Sequence, residues 1–167
     1  MRIYALILSL VAISFTSCNE DNSKELAEQQ EVLDKQNDSI TSTHEMLSDK
    51  NDALKEKHNQ IAQQLRGMEE LEDSTQLEKL VNIEAKIRNH DAKLVSHEEM
   101  IESHQKLSQD FAELSAEAKR TQLDEMQQTH DRILTEQSEM KAAHDDIRKQ
   151  HQAIEETINK SSEEENM

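Results

Sequence analysis

A seven-residue apolar repeat that changes its register letter twice constrains this chain more than any other feature. Leu26, Leu33, Ile40, Leu47, Leu54, Ile61 and Met68 recur every seven residues, the period of a helix whose seam packs on other helices. With these at d, the a positions hold Gln30, Asn37, His44, Asn51, His58 and Leu65. From residue 80 the pattern inverts. Leu80, Ile87, Leu94 and Ile101 take a, while Ile83, His90, His97, His104 and Phe111 take d. It then inverts back, with His130, Gln137, His144 and His151 at a and Met126, Ile133, Met140, Ile147 and Ile154 at d.

A parallel coiled coil has no reason to exchange a and d. Antiparallel neighbours do, because an a position on one helix then meets a d position on the next. The pattern therefore predicts an all-α, up-down-up antiparallel three-helix coiled-coil bundle, with helices near 24–71, 76–115 and 121–160. At ~1.5 Å per residue such a rod is roughly 55–60 Å long. Asp73, Ser74 and Thr75 supply cap chemistry for the second helix, and Thr121 with Asp124 for the third. The second turn, around Ser115 to Lys119, contains neither Gly nor Pro. If it stayed helical, helices two and three would fuse and the bundle would close as a swapped dimer; otherwise the chain closes as a monomer.

Reversals about residues 74 and 117 bring together residues whose numbers total 148 and 234. Polar layers His44/His104/His130, Asn51/His97/Gln137 and His58/His90/His144 then alternate with apolar ones such as Leu47/Ile101/Ile133. Three readings of the two triple-histidine layers stand side by side. Buried polar seam residues specify register and partner. Three neutral imidazoles with a water form a ligand set for Zn2+, and also suit Cu2+ or Ni2+. Against metal, those layers contain no carboxylate to orient the ligands. Packed imidazoles can also act as a proton switch, destabilising the fold as pH drops through ~6.5.

The first eighteen residues read differently. Arg2 precedes an apolar run from Ile3 to Ile13 and small residues lead to Cys18, the layout of a secretory signal peptide over 1–17. The run is short for a span, which needs ~20 apolar residues. Cys18 is the only cysteine, so no disulfide can form within the chain. Phe15-Thr16-Ser17-Cys18 resembles the lipobox of bacterial lipoproteins, and the Ser-Cys ending after a bulky residue looks like the Bacteroidota form. The resemblance implies acylation of Cys18, a palmitate-type anchor and a place in the bacterial cell envelope, on the outer membrane or its exposed surface. Residues 18–24 would be an acidic tether. The body is similar only to generic three-helix coiled-coil bundles.

Beyond residue 17 the chain carries 36 acidic and 18 basic residues, a formal charge of −18. Nucleic acid is excluded as a partner by that balance, since phosphate binding needs a basic face. The partners implied are a membrane, through the lipid on Cys18, and another envelope protein. One aromatic, Phe111, and one glycine, Gly67, follow residue 17, so the means to line a small-molecule pocket or cradle a phosphate are scarce. Met68, Met126 and Met140 read as core filler, and Glu163 to Glu165 as solvated surface within a disordered acidic tail, 161–167. No residue set positions a nucleophile or an oxyanion hole. The function expected is a non-enzymatic structural or protein-interaction module; the alternative is a metal-binding or pH-responsive lipoprotein.

Overall fold

The computed structural model describes residues 19–67 and 74–165. Three helices account for nearly all of them: α1 (Asn19–Arg66), α2 (Ser74–Asp110) and α3 (Ala116–Glu165), with a 3-10 turn at Phe111–Glu113. The three pack on one another, and no strand occurs among the described residues. The all-α three-helix bundle expected from the swapped letters is the fold. The signal peptide, Cys18, Met68, Asp73 and the last two residues lie outside the described residues.

The helices run further than expected. The acidic stretch after Cys18 is helical from Asn19, and the tail is helical through Glu165. No Pro or Gly occurs in either stretch to stop a helix. The 50 residues of α3 give a rod of ~75 Å, longer than the expected one.

Helices α2 and α3 are separate, and side chains make the break that Gly and Pro would otherwise make. Phe111 is buried against Leu26, Leu33, Leu123 and Met126, with Leu107 beside it. Burying an aromatic at the end of α2 gains more than another helical turn, at ~1.5–3 kcal/mol for a fully buried ring. Leu114 then turns extended (φ −76°, ψ 153°). Ser115, not Thr121, caps α3, since the Ala118 N–H donates to Ser115 Oγ at 3.2 Å. Thr121 lies inside the helix and donates to the Glu117 carbonyl at 3.3 Å. Carbonyls left at the end of α2 are taken by Gln122 Nε2, which donates to Leu107 O at 2.6 Å, and by Lys119 Nζ, which donates to Ala112 O at 3.2 Å. Lys119 also sits 5.3 Å from the centre of the Phe111 ring, a cation–π placement.

The apolar layers reveal the register. Ile40 packs with Ile101 and Ile133, and Leu47 with Leu94 and Met140. Facing residues of α2 and α3 total 234, as expected: 101 with 133, and 94 with 140. Facing residues of α1 and α2 total 141 (40 with 101, 47 with 94), not 148. Helix α1 therefore sits one whole heptad away from the expected register. The reason is physical: its polar column repeats every seven residues, so a full-heptad shift still sets polar against polar. Leu26 and Leu33 against Phe111 fix one end of α1, and the cluster of Ile61, Leu65, Leu80 and Ile83 holds the other.

Candidate functional site

The one-heptad shift regroups every histidine, and the candidate site becomes a column of four pairs. His104 stacks on His130 with ring centres 4.7 Å apart, and His90 meets His144 edge-on at 4.9 Å. Both pairings lie between α2 and α3 and match the expected ones. His44 pairs with His97 at 6.4 Å rather than with His104, and His58 with His151 at 5.6 Å rather than with His90. The two triple-histidine layers do not form. By the register, Asn37 lies level with His104 and His130, Gln137 with His44 and His97, and Asn51 with His90 and His144. An amide thus replaces the third imidazole. Its NH2 finds an acceptor nearby: Gln137 Nε2 donates to Ile40 O at 2.9 Å, and Asn51 Nδ2 to Asp91 Oδ1 at 2.7 Å. The six residues proposed as metal ligands, His44, His58, His90, His104, His130 and His144, are divided among four layers. Among the described residues no group of three or more His, Cys, Asp or Glu side chains is placed to hold a metal ion.

Carboxylates do reach the imidazoles, contrary to expectation. Glu136 Oε2 lies 2.8 Å from His97 Nε2, and Asp34 Oδ1 lies 3.0 Å from His104 Nε2. Both acids sit beside the seam, Asp34 next to the polar column of α1 and Glu136 next to the apolar column of α3, and lean inward. That flanking placement was the sequence signal available for them. His97 is fully buried and His104 nearly so, while Asp34 keeps 42% of its side chain in solvent.

Asp34 opens a continuous chain across the bundle. His104 Nδ1 and His130 Nε2 are 3.0 Å apart, and His130 Nδ1 is 3.0 Å from Gln36 Oε1. Ser108 Oγ donates to Asp34 Oδ1 at 2.9 Å, and Gln30 Nε2 donates to Ser108 Oγ at 3.0 Å. Proton counting limits this chain. If Gln36 Oε1 accepts from His130 Nδ1–H, His130 Nε2 must accept from His104 Nδ1–H. His104 Nε2 then faces a carboxylate, and one extra proton must sit between them. With the Gln36 amide turned over, a change of O for N alone, every imidazole is neutral and His104 Nε2–H donates to Asp34. The chain therefore links a half-exposed carboxylate to a fully buried ring by hydrogen bonds. Serine, aspartate and histidine all occur in it, but Asp34 stands in the middle. Ser108 is oriented by the carboxylate rather than deprotonated by the imidazole, the reverse of a nucleophile–base–acid order.

Burial sets the charge state of the column. It pushes His130, His144 and His151 down to about 4, and the facing imidazoles His104, His90 and His58 push the same way. Burial also lowers His44, with His97 adding to it, and lowers His58 and His90. Among the described residues, His58 Nδ1, His90 Nδ1 and both ring nitrogens of His144 and of His151 have no hydrogen-bond partner. These are buried polar atoms carried at a cost of ~1–3 kcal/mol each, which a neutral ring minimises.

No described helix is long and apolar enough to cross a membrane. No protein-family model, curated protein or solved structure matches the chain.

Proposed function

We propose that this protein is a bacterial envelope lipoprotein, acylated on Cys18, that presents a rigid acidic three-helix rod as a non-enzymatic structural or protein-interaction module. The observation that carries the reading is the apolar run Ile3 to Ile13 leading into Ser17-Cys18, directly ahead of the described part of α1. A lipid on Cys18 would attach to the end of a 48-residue helix, which extends ~72 Å from its first residue to its last. The anchored end would hold the α2–α3 turn, and the free end Arg66, Ser74 and Glu165. A formal charge of −18 beyond residue 17 would hold the rod off an anionic bilayer and leave it standing. Each acyl CH2 buried in the membrane contributes ~0.8 kcal/mol, so two or three chains give a stable anchor.

The test is to express the chain in a Gram-negative host with an alkyne-bearing fatty acid and read label and fractionation. The native chain should carry label and stay with membranes. Cys18→Ala should lose label and become extractable in aqueous buffer. Label-free native protein would sink the lipoprotein reading.

A second reading, a pH-responsive lipoprotein, draws support from His130, His144 and His151, which burial pushes down to about 4.

A further inference from the structure

We propose that a groove between α1 and α3 binds a small amphiphilic carboxylate, a medium-chain fatty acid by chemical class. The groove encloses about 310 Å³, within the ~300–1,000 Å³ of small-molecule sites. It is lined by buried Leu54 and exposed Ala53, together with Lys50, Lys57, Lys141 and Arg148. Four cations around one groove are out of character for a chain of net charge −17.

The charge pattern along this seam carries the inference. Lys57 of α1 reaches across to Glu155 of α3 in an ion pair, the ordinary device for joining parallel helices along their seam. Residues 57 and 155 differ by 98, and so do 50 and 148. One heptad back, the equivalent positions hold Lys50 and Arg148, two cations where a cation and an anion belong. The other helix–helix seams follow the rule, with Lys55–Asp91 at 2.6 Å, Lys86–Asp146 at 2.9 Å and Lys93–Glu139 at 3.0 Å. Asp145 also lines the groove and takes Arg148 at 3.2 Å. Lys50 and Lys141 have no ion-pair partner among the described residues.

A second observation points to the same place independently. His144, 6% exposed, lines the groove, and both its ring nitrogens lack a partner among the described residues. A neutral imidazole there offers one N–H to a carboxylate held between Lys50 and Lys141. The acyl chain would lie on Ala53, Leu54 and the lysine methylenes, which cover apolar surface well. An anion at this position supplies the missing partner of the like-charged pair.

The experiment is isothermal titration of the purified protein with decanoate below its micellar range, at pH 7.5. One saturable site per chain is expected. Lys50→Glu restores opposite charges across the seam, so it should weaken decanoate at least tenfold while the thermal melt holds or rises. Inorganic phosphate has the charge without the chain, and decyltrimethylammonium the chain with the wrong charge; neither should bind saturably. No saturable heat with decanoate overturns the proposal, as does equal binding by Lys50→Glu. Phosphate binding as tight as decanoate would show a site that reads charge alone, and equal binding of the cationic amphiphile would show an apolar groove indifferent to the rim. Either result overturns it.

Discussion

Lowering the pH from 7.5 to 5.5 should destabilise this bundle through its core histidines. His130, His144 and His151 are at most 6% exposed and titrate near 4 in the folded chain, against ~6.5 when unfolded. The unfolded chain therefore binds protons first. Stability is fully present above ~6.5, falls as the pH drops below it, and stops falling near 4. At pH 5.5 each of the three costs on the order of 1 kcal/mol, and together a few kcal/mol. That is a large share of the ~5–15 kcal/mol that a domain has to lose. His44, His58 and His90 shift the same way and add to it. The groups facing the three rings act in both directions. His104, His90, His58, Lys50 and Lys57 reinforce the loss, while Asp34, Asp131, Asp145 and Glu155 oppose it. Ordinary carboxylates titrate at ~4, below this window, so they add no slope of their own. The assay is urea unfolding followed by circular dichroism at pH 7.5, 6.5 and 5.5. A midpoint that moves by less than the equivalent of ~1 kcal/mol, or moves upward as pH falls, would refute the reasoning.

Three further perturbations probe the same core. Replacing His58 and His151 together with leucine removes a pair that leaves three ring nitrogens unpartnered; stability at pH 7.5 should rise by about 1–3 kcal/mol and the acid loss should shrink, both read from urea curves. Leu47→Ala empties a fully buried position between Leu94 and Met140 and should cost about 2–5 kcal/mol in the same assay. Two equivalents of Zn2+ should leave the thermal melt of chelator-treated protein unchanged, because imidazoles are grouped in twos; a specific site saturated at ~100 times its dissociation constant would add about 2.7 kcal/mol instead.

How much of this was legible in the sequence depends on which interaction is asked about. The exchange of a and d between Leu54, Leu94 and Met140 already required antiparallel neighbours, because period and polarity are local properties of a helix face. The α2–α3 pairing of His104 with His130 and His90 with His144 was legible too. Its turn is short, and Phe111 and Leu123 leave little freedom at that end. The carboxylates of Asp34 and Glu136 were not legible. They stand beside the seam rather than on it, and only the lean of their side chains brings them within 3.0 Å and 2.8 Å of buried imidazoles. The rim of the α1–α3 groove was hidden for a related reason. Lys50 and Arg148 are unremarkable surface residues until two helices are set side by side.

The sequence by itself determined three helices, their antiparallel order and a core that alternates aliphatic with polar layers. Tertiary structure alone decided which heptad of α1 faces which heptad of α2. In α1 the residues Asn37, His44, Asn51 and His58 offer similar polar partners at every seventh place, so neighbouring registers differ little in local energy. The choice falls to the ends, where Leu26 and Leu33 must cover Phe111 and Ile61 and Leu65 must meet Leu80 and Ile83. Those constraints turned two rings of three histidines into four pairs, and with them a candidate metal layer into a hydrogen-bonded chain from Asp34 to Gln36.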